Sequence, residues 1–366
     1  MKKIYLSEPL LNGNEKKYVD DCIKTTWLAG GKYVKQFEEG FAKFCEVPYA
    51  ITTNNGTTAL DTAILALEIG PGDEVIVPDL TYVSTANSVV HAGATPIFVD
   101  VDEDTWTINP EKIEQKITKN TKAILVVHLY GHPCDMNAIN KIAKKYKLSV
   151  IEDACQAHGT LYKGKRTGSL GTISCFSFSG AKVITTGEGG MVLSKNKKLI
   201  DKAYEIKTNY TSNKHKFYHT QVGHNFRFTN LQAAVGVAQL ERIDHLIDIK
   251  IKNANTYTSS LKTLEKYIQL PTQKPWAINT YWLYSIVIKH PNLRDKLMKH
   301  LETKGIETRP FFAPLHALPM FKSTENFPVT TYLSENGVCL PSGVTLNKKD
   351  ITYIATQIKK FFANYA

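Results

Sequence analysis

The stretch Phe176-Ser177-Phe178-Ser179-Gly180-Ala181-Lys182-Val183-Ile184-Thr185-Thr186-Gly187-Glu188-Gly189-Gly190 sets a lysine between small residues and a β-branched run, with a glycine-rich turn behind it. Apolar strand patterns flank it, Ile173–Phe178 before and Met191–Ser194 after. A lysine on a loop at a strand end can reach into a cleft, and a dry cleft favours its neutral, nucleophilic amine. One lysine among 40 says little alone, so its meaning depends on what surrounds it.

Outward from this loop, apolar strands alternate with helical patterns. The strands are expected at Tyr49–Thr53, Glu74–Pro78, Pro96–Asp100, Ala123–Val127 and Leu148–Glu152, besides the two already given. Helices are expected near 57–69, 83–92, 135–146 and 197–207. This alternation predicts an α/β fold whose mostly parallel sheet is covered on both faces. Residues 229–262 read as one long helix, capped by Asn230, with an apolar stripe from Leu231 to Ile247. After Pro271 a strand near Tyr281–Ile288 and helices near Leu293–Lys304 and Lys349–Phe362 predict a smaller α+β unit. The expected division is a large domain, 1–250, and a small C-terminal domain, 251–366. The helix near Asn14–Thr25 is expected to pack with the small one.

Three further segments fall at strand ends, where open α/β sheets carry their ligands. In Ile151-Glu152-Asp153-Ala154-Cys155-Gln156-Ala157-His158-Gly159, Asp153 can pair with a protonated pyridine nitrogen or merely cap a following helix. Gln156 can face a phenolate, and His158 is either a supporting residue or a core histidine. In Thr53-Asn54-Asn55-Gly56-Thr57-Thr58, Gly56 and Thr57 open a helix whose N–H groups can hold phosphate, with Ser177 adding a hydroxyl; simple capping is the alternative. In Pro78-Asp79-Leu80-Thr81-Tyr82, Tyr82 can stack on an aromatic ring or sit in the core. Phosphate loop, stacking aromatic, carboxylate and lysine, in that order, together point to pyridoxal 5'-phosphate (PLP).

With these residues in place, the chain resembles the DegT/DnrJ/EryC1/StrS sugar aminotransferase family, PLP enzymes of fold type I. The likeness runs from Leu6-Ser7-Glu8-Pro9 to Cys339-Leu340-Pro341-Ser342. It is carried further by Val127-His128-Leu129-Tyr130-Gly131-His132-Pro133-Cys134, Asn225-Phe226-Arg227-Phe228-Thr229-Asn230 and Arg309-Pro310-Phe311-Phe312-Ala313-Pro314-Leu315-His316. Within the family it is most similar to the GDP-perosamine synthases. The resemblance implies that Lys182 binds the cofactor covalently and moves the proton, and that Asp153 keeps the pyridine nitrogen protonated. It implies that Tyr82 stacks on the ring, that Gln156 faces the phenolate, and that Gly56, Thr57 and Ser177 hold the phosphate. Asn225 is expected to serve the partner subunit's cofactor, which makes the active unit a homodimer with shared sites. The implied reaction moves an amino group from an amino acid, glutamate by expectation, to a nucleotide-linked 4-keto-6-deoxy sugar for surface polysaccharide. A 3-keto sugar or a small phosphorylated ketone such as dihydroxyacetone phosphate is the alternative acceptor. A dehydratase or a non-catalytic binding protein is the alternative class, and Lys182 with Asp153 speaks against both. Ser179-Gly180-Ala181 and Trp27-Leu28-Ala29-Gly30-Gly31 depart from the perosamine-forming pattern, which leaves the acceptor open.

Composition narrows the remainder. The 366 residues are 43% hydrophobic and 22% charged, with a net charge of +11. The excess is dispersed lysine with no nucleic-acid motif, so a basic surface and attraction of anionic small substrates are the readings kept. Only five residues are arginine, so Arg227 and Arg309, inside the motifs above, are candidates for substrate phosphate or donor carboxylate, with His316 beside them. The six cysteines are scattered, which suggests neither a metal site nor a disulfide framework, and Cys155 and Cys175 read as core. No apolar run is long enough to span a membrane and the first residues lack a signal core, so a cytoplasmic location is expected.

Overall fold

A computed structural model describes residues 3–211, 215 and 217–365. Its main sheet has seven strands in the spatial order Tyr49–Thr53, Gly190–Ser194, Ile173–Ser177, Ser149–Asp153, Thr121–Val127, Glu74–Pro78 and Thr95–Val99. Gly190–Ser194 runs antiparallel to both its neighbours, and every other pairing is parallel. The central strands read as unbroken apolar runs because helices cover both faces. Ala123 through Val127 are all buried. The reversed strand has a direct consequence for the lysine loop. Ile173–Ser177 and Gly190–Ser194 lie side by side, with Ser177 opposite Gly190. The intervening residues therefore leave and re-enter the sheet at one edge, where the parallel strands end.

A second, antiparallel sheet has the order Ile268–Gln269, Tyr284–Ile288, Gly337–Leu340 and Arg309–Pro310. Helices Ile243–Leu261, Arg294–Thr303 and Lys348–Ala363 enclose it, with Tyr257, Tyr284, Ile286 and Phe362 in its core. The Ile243–Leu261 helix joins both parts. Its first turns, at Ile243, Leu246 and Ile247, pack with Phe37 and Phe178, and its later turns, at Ala254 and Tyr257, pack in the second core.

Three expectations are corrected here. The long helix is two, Asn230–Leu240 and Ile243–Leu261, broken at Glu241 and Arg242. Its cap is Thr229, not Asn230: Gln232 N–H donates to Thr229 Oγ1 at 3.2 Å, and Thr229 N–H donates to Gln232 Oε1 at 3.1 Å. Asn230 points elsewhere, accepting from Tyr33 N–H at 3.1 Å and donating to the Trp27 carbonyl at 2.7 Å. The N-terminal helix, Glu15–Thr25, packs on Asn230–Leu240 rather than with the smaller sheet. Glu241 holds it there, accepting from Tyr18 Oη at 2.6 Å and Asn14 Nδ2 at 2.8 Å, and Cys22 is buried beneath it. Among the described residues no helix is long and apolar enough to cross a membrane.

Candidate active site

A cavity of about 460 Å³ opens where the parallel strands end. The ends of the main sheet and the segments that follow or precede them contribute Gly56, Asp153, Ser177 and the Lys182 loop, and Trp282, Arg309 and Phe312 from the later part of the chain complete the lining.

The helix Gly56–Ala66 begins against one wall. Asn55 caps it, accepting from Thr58 N–H at 2.9 Å, while Thr58 Oγ1 accepts from Asn55 N–H at 3.3 Å. The N–H groups of Gly56 and Thr57 belong to the first turn, where no intrahelical carbonyl meets them. A Cβ on Gly56 would lie 2.7 Å from Ser177 Cβ, so only glycine lets the helix start approach the strand end this closely. The Ser177 hydroxyl is thereby set beside those amides. Thr57 Oγ1 is 2.8 Å from Ser84 Oγ, which also lines the cavity.

Asp153 is buried at the last position of its strand. The following residues form turns rather than a helix, so it caps nothing. Its Oδ1 accepts from Cys155 N–H at 3.1 Å and its Oδ2 from Thr85 Oγ1 at 2.9 Å. Gln156 Oε1 accepts from Tyr130 N–H at 2.9 Å. A backbone N–H can only donate, so the Gln156 amide NH₂ is the end left for the cavity.

Lys182 enters from the loop, its Nζ 3.8 Å from the centre of the Trp282 ring. Burial draws its amine down to about 8, against the opposing pull of Cys155 and Asp153. An amine in that range is partly neutral at physiological pH and can act as nucleophile and base. Tyr82 stands at the mouth, more than half exposed, with its ring 5.9 Å from that of Phe312.

The cavity thus gathers Gly56, Thr57, Tyr82, Asp153, Gln156, Ser177, Lys182 and Arg309. Asn225 and Arg227 lie outside it on an exposed segment. His316 is also outside the lining, because its ring is taken up by Asp79: Nδ1 is 2.6 Å from Asp79 Oδ2. His158 is buried among Phe41, Phe176 and Phe178, and burial lowers it to about 3, so it stays neutral. Neither of its ring nitrogens has a hydrogen-bond partner among the described residues. Cys155, expected in the core with Cys175, lines the cavity instead. Burial holds its thiol well above the ordinary range, so it meets the cavity uncharged. Glu188 and Phe312 stand in motifs already noted but were not singled out, and Trp282 carried no sequence signal.

Comparison with known proteins gives this arrangement its setting. Residues 9–359 match the model of the DegT/DnrJ/EryC1/StrS aminotransferase family. The chain belongs to that family. It is 44% identical over 366 residues to the GDP-perosamine synthase of Escherichia coli O157:H7, covering 100% of both chains. Its fold matches the aminotransferase from Psychrobacter cryohalolentis with a TM-score of 0.92 and 32% identity, over 98% of each chain. The PLP form of Spr1654 from Streptococcus pneumoniae matches with a TM-score of 0.95 and 25% identity, over 100% of each chain.

As a member of this family, the protein is a PLP-dependent aminotransferase. Its residues fit the cofactor. A Cβ at position 56 would run into Ser177, so glycine keeps the first-turn amides and the Ser177 hydroxyl together at the cavity wall, a donor set that suits a phosphate. A buried carboxylate already holding two donors, an amide NH₂ aimed inward and a desolvated lysine complete the donor set.

Proposed function

We propose that the enzyme transfers an amino group from glutamate to a nucleotide-linked 4-keto-6-deoxy sugar used in surface polysaccharide. The observation that carries the amino-transfer chemistry is the convergence of Lys182 and Asp153 in one cavity. Full-length similarity to a GDP-perosamine synthase supports the sugar acceptor. PLP, when bound, supplies an electron sink for the carbon that loses or gains the amino group.

The chain's own residues divide the remaining work. Gly56, Thr57 and Ser177 hold the phosphate, and Asp153 keeps a proton on the ring nitrogen. Thr85 and the Cys155 N–H orient that carboxylate. Gln156 donates to the phenolate oxygen, and Tyr82 covers the ring face. Lys182 is the residue that would bear the cofactor, and its amine would supply the base that moves the proton. Arg309 lines the same cavity as Lys182, a cationic group suited to the donor's carboxylate or the acceptor's phosphate. Asn225 sits outside its own chain's cavity, as a residue reaching into a partner's site must. The nearby Val222 side chain is 97% exposed, which supports a covering second subunit.

The test is a screen of acceptors. The enzyme is loaded with the amine form of the cofactor and offered 4-keto-6-deoxy sugars on GDP, dTDP and UDP, a 3-keto sugar nucleotide and dihydroxyacetone phosphate. Return of visible absorbance is expected with a 4-keto-6-deoxy sugar nucleotide. Turnover with only the 3-keto sugar or the triose would overturn the acceptor assignment.

A further inference from the structure

Trp282 makes two contacts with the lysine loop that no part of the proposed chemistry requires. Its Nε1–H donates to the carbonyl of Ala181, the residue before the lysine, at 2.8 Å. Its ring face lies under the lysine amine, 3.8 Å from Nζ. The indole is buried, and the backbone that carries it is held: Lys250 Nζ donates to the Trp282 carbonyl at 3.1 Å and to the Ser342 carbonyl at 2.6 Å. The Tyr130 ring stacks beside it at 6.3 Å. A side chain fixed in this way is a rigid platform, and an aromatic face attracts a protonated amine. The charged or titratable groups facing Lys182 are Asp153, Cys155, Arg309 and Glu188. Of these Arg309 repels its proton, so the ring adds attraction where the balance of charges is close.

We propose that Trp282 is a positioning residue for Lys182: its N–H fixes the backbone before the lysine, and its ring keeps the released amine inside the cavity, in place to rejoin the cofactor. This rests on Lys182 being the cofactor-bearing lysine, as proposed above. A lysine released from the cofactor has a long, flexible side chain that could turn to solvent or to Glu188. The platform removes that freedom and favours the amine's protonated form.

The experiment uses full-length protein freed of cofactor. Wild type is first mixed with PLP and reduced with borohydride; label absent from Lys182 would sink the underlying reading rather than this one. Wild type, Trp282→Phe and Trp282→Leu are then mixed with saturating PLP in a stopped-flow instrument. The first-order step that joins Lys182 to the cofactor is followed from pH 6.5 to 9.5, with PLP affinity measured separately. Trp282→Leu is expected to slow this step about tenfold and to move its pH midpoint down, because the ring's support of the cation is gone. Trp282→Phe keeps a ring face but no N–H, and is expected to slow the step about threefold with its midpoint unmoved. A merely structural tryptophan would weaken PLP affinity and thermal stability yet leave rate and midpoint alone, which would overturn the proposal. If Trp282→Leu does not fold, Trp282→Phe still decides, since a joining step at wild-type speed contradicts the anchor.

Discussion

His316 Nδ1 lies 2.6 Å from Asp79 Oδ2, and the His316 backbone N–H donates to Asp79 Oδ1 at 2.8 Å. The Leu315 N–H donates to the Asp79 carbonyl at 2.9 Å, so three bonds converge on one buried residue. This clasp ties the turn carrying Tyr82 to the segment carrying Arg309 and Phe312. Burial pushes the Asp79 carboxyl up, against the downward pull of His316. This clasp gives His316 a route to act on the cavity through its walls, beside the substrate contact that the sequence suggests.

Removing the imidazole tests that role. His316→Ala leaves Asp79 short of one donor in a buried site, which costs about 1–3 kcal/mol. Urea denaturation of the cofactor-free protein should show this loss. PLP affinity should also fall, because the Tyr82 turn is no longer held. Unchanged stability with a raised KM for the acceptor would instead restore His316 as a direct substrate contact.

Asp153→Asn should keep the fold and nearly abolish amino transfer. An asparagine can still accept from the Cys155 N–H with its oxygen and donate to Thr85 Oγ1 with its NH₂, so the local bonds survive. The negative charge proposed to hold the ring nitrogen's proton does not. A loss of about a hundredfold or greater in kcat is expected, as for other preorganised electrostatic stabilisers. Circular dichroism and PLP content should stay near wild type. Activity close to wild type would leave Asp153 with a structural role only.

Lys250 gives the fold a pH signature. It is buried with two carbonyl acceptors and no carboxylate, and burial lowers it to about 7. Its unfolded value is the ordinary lysine one, so between pH 7 and about 10 the unfolded chain binds more protons at this site than the folded one. Stability from this group therefore rises with pH across that window; on acidification it falls back until pH passes below the folded value, where it levels off. Wild type should gain about 2 kcal/mol more than Lys250→Met between pH 7 and 9, given about 1.4 kcal/mol per pH unit for one full proton. Parallel stability curves for the two proteins would place the proton on Lys250 throughout.

The strands, and the residues at their ends, were legible because burial on both faces writes itself as apolar runs and because ligands gather where parallel strands stop. Gly56, Asp153, Ser177 and Lys182 all follow from that rule, and the cavity brings them together. What escaped depends on long-range packing. Trp282 comes from just before Tyr284–Ile288, a strand of the other sheet, and meets the lysine loop only once the chain is folded. The break at Glu241 was hidden because the apolar stripe continues across it into the same core, from Leu231, Val237 and Leu240 to Ile243, Leu246 and Ile247. Thr229 was passed over as cap although Thr229-x-x-Gln232 spells a capping box, because Asn230 is an equally good cap by residue type.

Shared sites make a prediction that single subunits cannot. Asn225 is exposed and does not line its own chain's cavity, with its backbone bridged to Thr208. If it completes the partner's phosphate cradle, each site draws Lys182 from one subunit and Asn225 from the other. Lys182→Ala subunits should be inactive, and Asn225→Ala subunits should bind PLP weakly. Mixed after subunit exchange, the heterodimer carries both defects in one site and neither in the other. Activity should rise above that of either parent, towards half of wild type per mixed dimer. If each subunit held a self-contained site, every site in the mixture would keep one defect and no recovery would follow. Exchange is verified by mass spectrometry of differently tagged subunits, and absence of recovery with exchange complete would refute sharing through Asn225.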